Sequence, residues 1–144
     1  MRIGTLAANG DLGLASLHQV AVPTADLARS VAFYRDALGL RLLAQFSPPG
    51  LAFFALGETR LLVEHSPDPK PAGGVLYFRV VDIHAACATL RARGVAIDSG
   101  PHAIHHDDDG TFGERGATEW MAFFRDPDGN LLALASRVPP EKKP

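Results

Sequence analysis

Cysteine is almost absent from this chain of 144 residues, and what little there is excludes an internal disulfide. Cys87 is alone, in an Ala-rich helical stretch, so it reads as small core filler and favours a reducing compartment, hence a cytoplasmic location. No apolar run approaches the roughly 20 residues of a membrane span. The opening MRIGTLAANGDLGLAS lacks the charged-then-apolar order of a secretory signal and reads as an arm, 1–16, able to pack on a partner subunit. No charge of one sign dominates: 14 basic and 16 acidic residues give a net charge of −2, which recommends neither nucleic acid nor an anionic membrane. What is plentiful is apolar, at 47%, enough for a real core in one domain spanning 1–144.

The chain also repeats itself. Residues 52–63 read AFFALGETRLLV and residues 122–133 read AFFRDPDGNLLA, which align without a gap at an offset of 70 (122 − 52). Upstream, Gln19-Val-Ala-Val-Pro-Thr-Ala-Asp26 matches Val75-Leu-Tyr-Phe-Arg-Val-Val-Asp82 in pattern, at an offset of 56 (75 − 19). Both end in Asp before a helical stretch, so two copies of one supersecondary unit are expected.

Each copy reads as β-α-β-β-β, an α+β arrangement. In the first, 17–65, a strand over His18–Val22 precedes a helix over about Ala25–Ala37, capped by Thr24 or Asp26 and stopped by Gly39. Leu27, Val31, Tyr34 and Leu38 form its buried stripe. Strands Arg41–Phe46, Leu51–Leu56 and Thr59–His65 follow, and a Pro/Gly linker occupies 66–74. The second copy, 75–137, runs through a strand at Val75–Val81, a helix from Asp82 to about Ala92 stopped by Gly94, a strand begun at Val95–Asp98, and strands Thr118–Arg125 and Asn130–Ser136. Asp126-Pro-Asp-Gly129 is the turn between the last two, with Gly at a positive φ. His102–Gly116 reads as a long polar loop of the kind that closes over ligands, and 138–144 as a solvated tail.

Asp26-Leu-Ala-Arg-Ser30, Phe33-Tyr34, Leu38-Gly39 and Asp126-Pro-Asp-Gly-Asn130, in that order over a doubled unit, resemble the vicinal oxygen chelate superfamily, which holds glyoxalases, bleomycin-resistance proteins and extradiol dioxygenases. The resemblance covers about residues 17–137. It implies two units curling into a cup-shaped sheet with the helices outside, and a homodimer. It also implies a divalent metal held by residues on the first and last strands of each unit. In this sequence those positions are Gln19 and Val75, seven residues before the helix-opening Asp, with Ala133, four after the turn Gly, and Val63, its partner at offset 70. Of the four, only Gln19 carries a donor, whereas zinc, nickel, iron or manganese needs several converging ones. The expected cofactor is therefore none, with a divalent metal as the alternative. A register slip of one would bring in His18 and Glu64 as fallback ligands, with Gly74 and Leu134 at the remaining places. Strand alternation opposes it: Val20, Val22, Leu76, Phe78 and Val80 suit the face beneath the helices, Gln19, Ala21, Val75, Tyr77 and Arg79 the cup, and His18 and Glu64 share parity with the helix side.

Further candidates surround the expected cup. His102 and His105 are ligand contacts, or, for His105, a general base; His106 and the aspartates after it read as solvated. Glu119 is a second candidate base. Arg79 offers a fork for a carboxylate or phosphate, or pairs with an acid at a rim. Trp120 could stack on a planar ligand or pack in the core. Two functions remain open: a metal-free protein that binds a small organic molecule in an apolar cup, and an enzyme, either a metal-dependent lyase, epimerase or dioxygenase with altered ligands or a metal-free one with His105 or Glu119 as base.

Overall fold

The computed structural model describes residues 12–141. The ends of the expected arm and tail, 1–11 and 142–144, lie outside the described residues.

The first unit comprises β1 (Gln19–Thr24), α1 (Leu27–Ala32, continued by a π-helical turn Phe33–Ala37), β2 (Arg41–Phe46), β3 (Leu51–Leu56) and β4 (Thr59–His65). The second comprises β5 (Leu76–Arg79), α2 (Ile83–Ala92), β6 (Ile97–His106), β7 (Thr118–Arg125) and β8 (Leu131–Val138). Each forms its own four-stranded sheet, in the orders β1-β4-β3-β2 and β5-β8-β7-β6, with the first and last strands parallel and the rest antiparallel. The α+β duplication expected from the repeat is the observed architecture.

Local chemistry accounts for the helix ends. Asp26 accepts a hydrogen bond from the Arg29 N–H at 3.1 Å and Asp82 one from the Ala85 N–H at 3.0 Å, filling donors that a first turn leaves unpaired. Asp26, not Thr24, is thus the cap of α1. Gly39 (φ +74) and Gly94 (φ +84) take the left-handed conformation that ends each helical run.

Register decides which residues meet. Val22, Val63 and Ala52 face one another across β1, β4 and β3, and Val20 and Phe54 flank Leu61. Tyr34, from the helix side, packs on Phe54 with ring centroids 5.8 Å apart. In the second sheet Leu76, Phe78, Leu132, Leu134, Ala122 and Phe124 form the equivalent face. These two faces, with Val31, Ile83, Cys87 and Leu90 from the helices, make one hydrophobic cluster that draws on both units.

The units are also fastened by polar bonds that join the two halves of the family motif. Tyr34, fully buried, donates to Asp126 Oδ2 at 2.6 Å, which also accepts from Asn130 Nδ2 at 2.7 Å. Asp126 Oδ1 accepts the Asp128 and Asn130 N–H groups, both at 2.9 Å, and shapes the turn that Gly129 (φ +83) completes. Asp128 reaches the first unit, accepting from Thr24 Oγ1 (2.7 Å), the Ala25 N–H (2.9 Å), Ser30 Oγ (3.1 Å) and Arg29 Nη2 (2.9 Å). Asn130 donates to the Pro23 carbonyl at 3.2 Å and accepts from the Ala72 N–H at 2.6 Å, so the linker is held as well. Asp-Pro-Asp-Gly-Asn is therefore a clasp between the units as well as a turn.

Three expectations are corrected. First, the stretch expected to be a loop from His102 is strand as far as His106, pairing with β7 from Ile97↔Phe124 to His106↔Thr118, so the irregular segment is confined to 107–117. The ladder is interrupted by bulges, which hide the strand from a two-residue period. Second, the gapless repeat fails at its turn. Leu56 pairs with Thr59 in the first unit, while Asp126 donates its N–H to the Asn130 carbonyl in the second, a turn one residue longer. Ala52↔Val63 thus corresponds to Ala122↔Leu134, and the offset becomes 71 (134 − 63) beyond the turn. Val63 is fully buried on the helix face, and the partner of Ala133 is Leu62. Third, the same shift places Glu64 on the concave side, level with Pro23 and Leu51, and not on the helix side.

Candidate functional site

The faces turned away from the helices carry the candidate site. On the first sheet, register aligns three rows: Gln19–Arg60–Ala55–Arg41, Ala21–Leu62–Phe53–Ala44, and Pro23–Glu64–Leu51–Phe46. Phe46 and Phe53 meet edge to face at 6.1 Å, and the Arg60 guanidinium lies 5.7 Å from the Phe53 ring centre. On the second sheet the rows are Tyr77–Ala133–Phe123–Ser99, Arg79–Ala135–Met121–His102 and Arg137–Glu119–His105. Tyr77 packs edge to face on Phe123 at 6.0 Å. Phe46 and Tyr77 remain about half exposed, at 52% and 53%, so both faces offer aromatic surface.

His102 and His105 share this face only because of a bulge. Three positions apart, they would point to opposite sides of a regular strand. The register shift between Ala103 and His105 restores His105 to the level of Glu119. A second shift, between Ser99 and His102, centres on Gly100, where φ is +94 and a Cβ would stand 2.6 Å from the Met121 carbonyl oxygen. Only glycine tolerates both conditions.

Glu119 is held by an ion pair with Arg137 Nη1 at 3.0 Å, and Arg137 Nη2 lies 2.9 Å from Asp107 Oδ2. Asp107, 1% exposed, also accepts the Thr111 and Phe112 N–H groups at 2.8 and 3.0 Å. Burial pushes the Asp107 carboxyl up, but these N–H groups and the Arg137 guanidinium outweigh it, so the net shift is below the usual carboxylate range. The 107–117 segment is thus pinned at its base, with Phe112 edge-on to His105 at 5.8 Å. Sequence reading missed Arg137, Arg60 and Phe112, and it read Asp107 as solvated, which its burial corrects. Their roles arise from cross-strand register, which no local pattern encodes.

The remaining candidates divide. Arg79 lies on the concave face, and the ion pairs of the described residues do not include it. Trp120 is on the helix face, packed against His84 at 5.1 Å, because it alternates with Glu119 and Met121. Of its two expected uses, core packing is the one the structure shows, and its place at a ligand is corrected. His18 contacts Arg60 Nη2 through Nε2 at 3.1 Å, at the opposite end of β4 from Glu64. Four residues along a strand is about 13 Å, too far for one ion.

With register corrected, the metal positions implied by the resemblance read Gln19, Leu62, Val75 and Ala133, still with one donor. Among the described residues no group of three His, Cys, Asp or Glu side chains is placed to hold an ion. These residues do not fit a divalent cation. Gln19 Oε1 is buried and finds no partner among the described residues, an acceptor able to serve a ligand N–H or O–H.

A family model described as Glyoxalase/Bleomycin resistance protein/Dioxygenase superfamily matches residues 16–134. The chain belongs to this superfamily. Within it, the chain is 33% identical over 119 residues to a lactoylglutathione lyase of Haemophilus influenzae, covering 72% of this chain and 79% of that one. It superposes on TnmS3, an antibiotic binding protein from Streptomyces sp. CB03234, with a TM-score of 0.69 and 27% identity, covering 87% of this chain and 98% of that one. A lactoylglutathione lyase from Agrobacterium tumefaciens shares the fold, with a TM-score of 0.65 at 22% identity over 85% of this chain and 93% of that one. No helix of this superfamily member is long and apolar enough, among the described residues, to cross a membrane.

Proposed function

We propose that this superfamily member binds a small, planar organic molecule in its cup without using the family's metal site, and does so as a homodimer. The observation that carries the reading is the concave face itself: one donor, Gln19, at the four metal positions, beside the aromatic pairs Phe46–Phe53 and Tyr77–Phe123. Apolar walls with a few placed polar groups suit such a ligand, and Arg79, His102 and Gln19 are the groups that would orient it. The likeness to an antibiotic binding protein supports it.

The edges support the dimer. Among the described residues β1 pairs only with β4 and β5 only with β8, so each sheet ends in an open strand beside its concave face. A second copy that set its own second unit against this first one would cover both edges and enclose the ligand between two faces. The reaction-bearing alternative, a metal-dependent lyase, epimerase or dioxygenase, is favoured by the identity with lactoylglutathione lyase, and His105 is then the candidate base.

Thermal denaturation with a panel of aromatic antibiotics tests the choice, since a ligand specific for the folded state raises the melting temperature. A rise that survives EDTA and is lost in Phe53→Ala and Tyr77→Ala supports binding. Stoichiometric zinc, nickel, iron or manganese in the purified protein, lost in Gln19→Ala together with lyase turnover, overturns it.

A further inference from the structure

A cavity lies between the units, chiefly on the helix side of the sheets. It is an open groove of about 820 Å³, walled by Leu38 and Leu56 of the first unit and by Phe78, Leu90, Phe124 and Leu134 of the second. Phe124 and Leu134 alternate along β7 and β8 with Phe123 and Ala133 of the cup, so a single layer of backbone separates the two spaces. Among the described residues its charged lining side chains are both arginines, with no aspartate or glutamate. These are Arg79 of the edge strand β5 and Arg93 at the end of α2, and the ion pairs of the described residues include neither. One Arg93 N–H is spent on the Ala37 carbonyl at 2.9 Å, and the guanidinium carries five such donors.

We infer that this inter-unit cavity is a second binding site, for an amphipathic carboxylate whose apolar chain fills the space and whose head group meets Arg93. The volume is that of a small-molecule site, and the charge of the lining selects an anion over a neutral or cationic amphiphile. The lining also takes in Val75, Tyr77 and Arg79, so the cavity reaches the rim of the cup along β5, while Phe53 of the first sheet does not line it.

Calorimetric titration of the full chain with decanoate, decanol and decyltrimethylammonium tests it. Decanoate is expected to bind at least about tenfold more tightly than decanol, the increment of one charge-assisted hydrogen bond, and the cation not at all. Arg93→Gln should remove that advantage while leaving decanol binding unchanged. Thr89→Phe, at an exposed position of α2 that lines the cavity, should weaken both by about tenfold or more by filling the space, with the fold checked by circular dichroism. Phe53→Ala, on the cup side, should leave all three titrations unchanged. Equal affinity for decanoate and decanol, undiminished binding in Thr89→Phe, or loss of binding in Phe53→Ala would each overturn the inference.

Discussion

Replacing Tyr34 by Phe isolates one bond of the clasp between the units. The ring stays, with its edge contact to Phe33 at 5.2 Å and its tilt on Phe54; only the hydroxyl that donates to Asp126 Oδ2 at 2.6 Å is lost. Tyr34 is fully buried and the acceptor is a carboxylate, so the bond belongs to the class worth about 1.5–3 kcal/mol. Asp126 keeps its other three donors, from Asp128, Asn130 N and Asn130 Nδ2, which limits the damage to about 2 kcal/mol. With a urea slope of about 2 kcal/mol/M, the unfolding midpoint should fall by about 1 M. The pH dependence gives a second, signed arm. Burial, and then the Asp126 charge, raise the tyrosine pKa far above its usual 10 in the folded chain. The native state therefore holds its proton when the unfolded state has released one, and stability present below about pH 10 is lost as pH rises beyond it. Tyr34→Phe should show a shallower decline on the alkaline side. A midpoint shift under about 0.25 M, or identical alkaline slopes, would refute both the bond and its burial.

Asp128→Asn tests the acid side: burial raises its carboxyl, but the Ala25 N–H, Thr24, Ser30 and Arg29 carry the net shift downward. Its contribution is present above about pH 4 and lost as pH falls further, so the gap between wild type and variant in denaturant titrations should close towards pH 2. Gly100→Ala should destabilise by about 2 kcal/mol or more, because a Cβ would meet the Met121 carbonyl oxygen at 2.6 Å with φ at +94; urea midpoints read it directly. Arg137→Met should free the 107–117 segment by removing the charge shared by Asp107 and Glu119, seen as faster amide exchange at Thr111 and Phe112.

Much of the fold was legible because its signals are local. Asp26 and Asp82 before apolar helical stripes, Gly39 and Gly94 after them, and the strands Arg41–Phe46, Leu51–Leu56, Thr59–His65 and Thr118–Arg125 all lie where a short window puts them. The site was less legible, since it depends on which face a residue takes. One extra residue in the Asp126–Asn130 turn moves Val63 from cup to core, and a bulge at Ile104 lets His102 and His105 face the same way. A change of one residue inverts a strand, and the chain shows it only once its pairing partner is known. Trp120, for which both a ligand and a core place were open, takes the core because it alternates with Glu119 and Met121, whereas Gln19 keeps its expected face because β1 pairs with β4 without irregularity.

The same distinction separates the residues that carry the family resemblance from those on the concave rows of this chain. Every residue that carries the resemblance and forms a side-chain bond, Asp26, Arg29, Ser30, Tyr34, Asp126, Asp128 and Asn130, does so in the α1 cap or in the clasp between the units. None of them lies on the concave rows where a ligand would sit. A chain can therefore keep the motifs that build two linked half-cups while its four interior positions read Gln19, Leu62, Val75 and Ala133. At those positions a cation would require several donors, whereas an apolar ligand requires few. Restoring histidine or glutamate at Leu62, Val75 and Ala133 should accordingly create divalent-metal affinity measurable by calorimetry without altering the clasp, and a triple variant that folds but binds no metal would show that the scaffold fails to converge these positions on one point.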